Sequence, residues 1–239
     1  MRVTIAGTGK CLPGTDVPGR TVTNEEIVGT LLAHKAIKPG TDRPWLPEEL
    51  TPQKIVDLVG IRERRWVANS VNTSDLALFA AGRALADAGI GWKDVGILAL
   101  GTSTPEAIFP STACLTLNKV IDGEVAAGRM TDKDARSTLR LPAFDLLAAC
   151  TSGLYAIDFV RKHLLFGETE TRYGVAMGAE VLSRLLDFSD TNADLWGDAS
   201  AAVVLERTEG PEGSGIICTE MGTDAWGAET PRPRKERKL

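Results

Sequence analysis

The sequence predicts an α/β protein with a largely buried sheet. Two observations carry this prediction: short runs rich in apolar and β-branched residues, and intervening segments in which apolar residues recur at helical spacing. The expected strands are VTIAG (3–7), IRERRWV (61–67), VGILALG (95–101), residues 142–148, YGVAMGAE (173–180), ASAAVVLE (199–206) and GIICTEM (215–221).

The helices are marked by capping and stop signals. Thr23 and Glu26 have the spacing of a capping box at the start of the first helix, and Gly60 ends the second. The third helix begins near Thr73 and ends at Gly89. Two further helices are expected over 111–121 and 151–166.

The chain is expected to form one domain over residues 1–224. Within it, four prolines make 38–52 an excursion over the surface, and the polar segment 122–139 has the composition of a surface insertion. Residues 225–239 form a basic, proline-containing tail that we expect to be disordered.

Charge and composition exclude several classes of function. The net charge is −5 although the last nine residues are strongly basic, so the body is acidic and nucleic acid is not an expected partner. No stretch is long and apolar enough for a membrane span, and the N-terminus lacks the apolar region of a signal peptide. The four cysteines share no metal-binding spacing, so we expect no metal site and a reducing, cytoplasmic location.

Cys150 lies at a junction between an apolar run and an amphipathic one, in AFDLLAACTSGLYAIDF (143–159). It is therefore expected at a strand-to-helix turn, where free backbone N–H groups and the helix dipole favour a thiolate. The small residues around it, Ala149 and 151–153, leave room for a substrate. On the residues alone, a reactive and a packing role stay equally open. Cys11, Cys114 and Cys218 are expected to pack, Cys114 on a helix and Cys218 within a strand.

Six motifs in order along the chain resemble the β-ketoacyl-ACP synthase III group of the thiolase fold. They are VTIAGTGKCLPG (3–14), GIRERRW (60–66), FPSTAC (109–114), AACTSGLYA (148–156), GAEVLSRLLDFSD (178–190) and WGDASAAVVL (196–205). The resemblance implies a thiolase-like α/β fold with a mixed sheet between helix layers. It also implies acyl transfer or condensation through a cysteine thioester, in fatty-acid or polyketide biosynthesis.

Carried over by position, the resemblance makes Cys150 the acyl-accepting nucleophile and Phe109 a residue that lines the acyl pocket across a dimer. Arg184 matches an arginine that contacts the nucleotide end of coenzyme A. Lys54 and Leu58 stand where the family carries a tryptophan and an arginine that bind coenzyme A. The implied partners are acyl-CoA or acyl carrier protein as substrates, with a homodimer or a complementing second-half subunit, and no cofactor is expected.

The resemblance covers the N-terminal half of a fold made of two similar halves, and the family's catalytic His and Asn belong to the second. His163 cannot replace that histidine, because it follows Cys150 by 13 residues on one helix, roughly 20 Å away. His34 is expected at the solvated end of an early helix.

Three interpretations stay open. The chain is a condensing enzyme whose second half is separate or lost, an acyltransferase or thioester hydrolase that uses only the acyl-enzyme step, or a non-catalytic assembly subunit. The first is favoured, and condensation by this chain alone is not expected.

Overall fold

The computed structural model describes residues 1–167, 171–210, 215–223 and 225. Within these described residues lie seven strands: β1 (Arg2–Cys11), β2 (Gly19–Thr23), β3 (Glu63–Val67), β4 (Val95–Gly101), β5 (Ala143–Leu146), β6 (Tyr173–Val181) and β7 (Asp198–Thr208). Six α-helices accompany them: α1 (Asn24–Ala33), α2 (Pro52–Val59), α3 (Thr73–Ala88), α4 (Thr112–Ala126), α5 (Asp132–Thr138) and α6 (Ser152–Phe166).

Five strands form a mixed sheet in the order β1-β7-β6-β4-β5. Strand β4 pairs in parallel with β5 and β6, whereas β7 runs antiparallel to β6 and β1 antiparallel to β7. Helices α4 and α5 connect β4 to β5, and α6 connects β5 to β6, as parallel pairs require. Strands β2 and β3 form a separate antiparallel pair.

Each face of the main sheet has its own apolar cluster. Helix α3 covers one face through a stripe of small residues, Ala77, Ala80, Ala81 and Ala84. Helix α6 covers the opposite face with Ala156, Val160 and Leu164. This arrangement confirms the α/β prediction of a mixed sheet between helix layers.

The helix signals in the sequence are confirmed at the predicted residues, except that only half of the predicted capping box forms at the start of α1. The side chain of Thr23 accepts the N–H of Glu26 at 3.4 Å, whereas the Glu26 carboxylate accepts from Arg20 at 2.7 Å. Gly60 ends α2 and Gly89 ends α3, with φ values of 74° and 68° in the left-handed region that glycine tolerates best.

Other predictions need correction. Helix α4 runs to Ala126, so 122–139 is not a simple polar insertion but holds the end of α4 and all of α5, with Leu139 buried. The proline-rich excursion 38–52 supplies Trp45 and Leu50 to the cluster beside α1 and α2, so it is partly core. Nearly all of the basic tail lies outside the described residues.

The strand predicted over 215–221 is wrong. The segment touches the sheet edge through one backbone hydrogen bond, from Ile216 N–H to the Val3 carbonyl at 2.9 Å. Arg161 of α6 binds the carbonyls of Ile216 and Ile217 at 3.1 and 2.9 Å, so side chains hold this segment where a strand ladder was expected.

Candidate active site

Cys150 lies in the turn that joins β5 to α6. A single 3-10 turn spans Ala149–Thr151, and α6 begins at the next residue. The thiol is exposed, whereas Ser152 is 2% exposed. The strand–turn–helix context predicted from the sequence is therefore present, with Cys150 immediately before the N-terminus of α6.

Short hydrogen bonds from neighbouring side chains hold the shape of this turn. The hydroxyl of Ser152 accepts the N–H of Ala148 and donates to the carbonyl of Ala149, both at 2.7 Å. The hydroxyl of Thr151 donates to the Ala148 carbonyl at 2.7 Å. Ala149 has a φ of 47°, a left-handed conformation that costs an L-residue about 1–2 kcal/mol. The Ser152 and Thr151 bonds offset that cost and fix the direction of Cys150.

Glycines let the first turn of α6 lie directly on the sheet. A Cβ on Gly101 would come within 2.2 Å of the backbone carbon of Ser152, and one on Gly153 would lie 3.6 Å from the Cα of Gly178. Any side chain at Gly101 would therefore push the helix start, and Cys150 with it, away from the strand ends.

A cleft of about 520 Å³ opens beside Cys150 at this edge of the sheet. Its floor consists of small residues, among them Gly178, Ala199 and Ala201, so a substrate could lie flat on the sheet. Lys10 and Glu180 are the two ionisable side chains at its rim besides Cys150. The cleft can hold an acyl thioester with its carbonyl carbon at the sulfur.

Glu180 is a site residue that the sequence reasoning missed. Its carboxylate accepts the N–H of Ser103 at 2.7 Å and the hydroxyl of Thr104 at 2.6 Å. These bonds tie the end of β6 to the loop after β4. The one available signal was its place at the end of an otherwise apolar strand.

Phe109 lies further along that loop, outside the Cys150 cleft of its own chain, and is 81% exposed. Its peptide bond to Pro110 is cis. Asp145 of β5 accepts the N–H groups of Thr112 and Ala113 at 2.7 and 2.8 Å and so anchors the far end of the loop. The ring of Phe109 is thus presented outward on a loop held at both ends.

Arg184 lines a second depression, of about 470 Å³, rather than the Cys150 cleft. Its guanidinium donates to Asn72 Oδ1 at 3.1 Å and to the carbonyls of Val71 and Asn69 at 2.5 and 3.1 Å. These bonds hold the loop before α3. Lys54 and Leu58 lie at a third depression, beside the buried Trp45.

The remaining cysteines differ from their predicted roles in two cases. Cys11 is buried as predicted. The pKa of its thiol is raised to about 11, and burial is the largest cause of this shift. Cys114 and Cys218 are exposed, so the prediction that they pack is wrong. Cys114 lies on the outer side of α4, and Cys218 follows the two carbonyls held by Arg161.

Neither histidine comes near the thiol. His163 belongs to the last turn of α6, at the opposite end from Cys150. His34 follows α1, where its Nδ1 lies 2.8 Å from the Thr30 carbonyl and its ring contacts Phe188.

Within the described ranges, no group of three His, Cys, Asp or Glu residues could hold a metal ion. Of the helices described, none is both long and apolar enough to cross a membrane.

The sequence matches a known family model in part, and the fold is similar to several solved structures. Residues 144–225 match the family model of 3-oxoacyl-[acyl-carrier-protein (ACP)] synthase III, a segment that contains Cys150, Glu180 and Arg184. Over 87% of the chain, the structure is similar to 3-oxoacyl-[acyl-carrier-protein] synthase III from Aquifex aeolicus VF5, with 27% identity and a TM-score of 0.66. Over 94%, it is similar to β-ketoacyl-[acyl carrier protein] synthase III of Thermus thermophilus, with 28% identity and a TM-score of 0.69.

A third similar structure, 3-oxoacyl-(acyl carrier protein) synthase III from Pseudomonas aeruginosa PAO1, has 24% identity and a TM-score of 0.71 and supports the fold alone. The chain spans 55%, 57% and 60% of the lengths of these three proteins. The described chain therefore has an α/β, thiolase-like fold. It is similar to the N-terminal part of 3-oxoacyl-[acyl-carrier-protein] synthase III proteins, which are condensing enzymes of that fold.

Proposed function

We propose that this chain catalyses acyl transfer to Cys150, the first step of a 3-oxoacyl-ACP synthase III-type reaction in fatty-acid or polyketide biosynthesis. The single observation that carries the proposal is the exposed thiol at the start of α6, facing a cleft floored by small residues. The match of residues 144–225 to the family model supports the same chemistry.

The proposed step exchanges one thioester for another. The Cys150 sulfur attacks the carbonyl carbon of an acyl-CoA or acyl carrier protein thioester. A new C–S bond forms, the donor's C–S bond breaks, and the donor thiol leaves with a proton. The first turn of α6, beside Cys150, is proposed to supply backbone N–H groups that stabilise the carbonyl oxygen as it gains negative charge.

Condensation with a malonyl thioester is proposed to need more than the described residues. The enolate formed on loss of CO₂ requires hydrogen-bond donors at the reacting carbonyl. Both histidines lie elsewhere, at the far end of α6 and at the end of α1. We therefore place the condensing step in an assembly that supplies such donors, and the acyl-enzyme step in this chain.

Intact-protein mass spectrometry tests the acyl-enzyme step. The chain incubated with a short acyl-CoA should gain one acyl mass, and Cys150→Ser should gain none. Cys114→Ser is the matched control, because that thiol is exposed on another helix, and it should react like the parent chain. Equal acylation of Cys150→Ser and the parent chain would refute the proposal.

We further propose that the chain forms a dimer in which Phe109 closes a neighbour's acyl pocket. Its exposed ring, on a loop anchored by Glu180 and Asp145, supports this placement. Sedimentation equilibrium should give a dimer that Phe109→Ala weakens by roughly tenfold or more, because burying a Phe side chain contributes about 1.5–3 kcal/mol. A parent chain that stays monomeric at micromolar concentration would count against it.

A further inference from the structure

The rim of the Cys150 cleft carries two charged side chains, and they differ in how the fold uses them. Glu180 accepts hydrogen bonds from Ser103 and Thr104 with its two carboxylate oxygens, so its charge is already satisfied by the loop after β4. Lys10 is exposed, and among the described residues no carboxylate lies within 4 Å of its ammonium group. Asp16, which interacts electrostatically with Lys10, is itself paired with Arg83 at 2.9 Å.

Strand register places Lys10 on the same face of the sheet as Cys150. Lys10 pairs with Ala201, Ala201 with Gly178, and Gly178 with Gly101. Directly paired residues point to the same face of a sheet. Gly101 faces the start of α6, since a Cβ there would overlap the backbone of Ser152. Lys10 therefore extends over the face on which the Cys150 turn sits.

The row from Lys10 to Gly101 crosses three strand spacings, about 14 Å. Its two intermediate residues, Ala201 and Gly178, have minimal side chains and form part of the cleft floor. An acyl group bound to the Cys150 sulfur can lie along this floor and point its far end at the Lys10 ammonium, whose flexible stem covers much of the remaining distance.

We propose that Lys10 makes the Cys150 site selective for acyl groups that carry a second carboxylate at their far end. This inference rests on the proposed function. In the transfer, the Cys150–carbonyl C–S bond forms while the donor's C–S bond breaks, and the donor thiol leaves with the proton. The distal carboxylate stays unchanged and pairs with the ammonium of Lys10.

Matched acyl donors test the charge preference directly. Acylation rates of Cys150 are measured by intact-protein mass spectrometry with succinyl-CoA and with butyryl-CoA, which has the same chain length without the carboxylate. Lys10→Met should lower the succinyl-to-butyryl rate ratio by roughly three- to fivefold, the effect of one partly exposed charge pair. Lys10→Arg should keep the ratio. Lys93→Met, which removes an exposed lysine before β4, should leave it unchanged.

A second measurement does not depend on acyl transfer. Iodoacetate and iodoacetamide alkylate thiols and differ in charge, so Lys10→Met should lower the iodoacetate-to-iodoacetamide rate ratio at Cys150. An unchanged acylation ratio in Lys10→Met overturns this inference and leaves the proposed function standing. If neither donor acylates Cys150, the proposed function fails, and an unchanged alkylation ratio then overturns the Lys10 inference as well.

Discussion

At the scale of single residues, the site depends on the hydroxyl of Ser152. The buried Ser152 side chain satisfies one donor and one acceptor of the turn that carries Cys150. Each such hydrogen bond contributes about 0.5–1.5 kcal/mol, so the two together contribute about 1–3 kcal/mol. The stability of the turn that carries Cys150 therefore depends on the hydrogen bonds of Ser152.

Ser152→Ala should lower the free energy of unfolding by about 1–3 kcal/mol and slow acylation of Cys150, because the turn loses its fixed direction. Ser137→Ala is the matched control: that hydroxyl makes one local bond, to the Asp134 carbonyl, on an exposed helix. It should stay within about 0.5 kcal/mol of the parent chain in urea unfolding. Equal effects of the two substitutions would contradict the role given to Ser152.

The position of Cys150 was predictable because a local pattern defines a strand-to-helix junction. Glu180 and Lys10 were not recognised as site residues, because their place in the cleft depends on pairing between strands far apart in the chain. Exposure of Cys114 was missed because an apolar helix does not reveal which of its faces meets the core.

At the scale of elements, α6 joins the site to the rest of the sheet. Asp158, on its buried side, binds Lys162 at 2.8 Å and accepts a hydrogen bond from Thr219. Burial alone would raise the pKa of this carboxyl, but Lys162 and Thr219 more than offset it, and its pKa lies below the ordinary value. The ionised Asp158 therefore stabilises α6 and the segment that crosses it.

Asp158→Asn should destabilise the chain by about 1–3 kcal/mol at neutral pH. Because the folded-state pKa is depressed below the ordinary Asp value, this stabilisation is present above the unfolded pKa and is lost as the pH falls through the folded value. Asp132→Asn, which breaks the exposed pair with Arg136, is the control and should cost at most about 0.5 kcal/mol. Urea unfolding at pH 7 and pH 3 measures both, and a difference that persists in acid would argue against this linkage.

Elements with strong local signals were predictable, including the capped helices and the buried strands. The strand expected over 215–221 does not form, because side chains of α6 take the hydrogen bonds of this segment. Arg161 binds two of its carbonyls, and Asp158 accepts a hydrogen bond from Thr219. Periodicity in a short segment cannot anticipate side chains of a distant helix that take over its hydrogen bonds.

At the scale of the whole molecule, α6 buries one side and leaves apolar residues on the other. Leu154 and Phe166 are 67% and 80% exposed, and Phe159 is half-exposed against the ring of Phe144. The sequence predicted this helix to be apolar on more than one face, and the structure confirms it. Large apolar side chains exposed in this way favour association.

Leu154→Gln should reduce binding of a hydrophobic dye and weaken self-association of the chain, since each large apolar side chain denied burial costs about 1.5–3 kcal/mol. Leu58→Gln, which changes a half-exposed leucine on α2, should alter neither property. Dye fluorescence and sedimentation velocity give the comparison. A parent chain that binds no dye and sediments as a monomer would contradict the expectation.

Peptide mapping after incubation with an acyl-CoA tests the proposed acyl transfer to Cys150 most directly, because the chain has four cysteines in distinct environments. Acylation should occur at Cys150 and spare Cys11, whose buried thiol has a pKa raised to about 11 and stays protonated near neutral pH. The exposed Cys114 and Cys218 provide internal controls for non-specific reaction. Acylation confined to the Cys150 peptide is the expected result, and equal acylation of the Cys114 and Cys218 peptides, or none at Cys150, would contradict it.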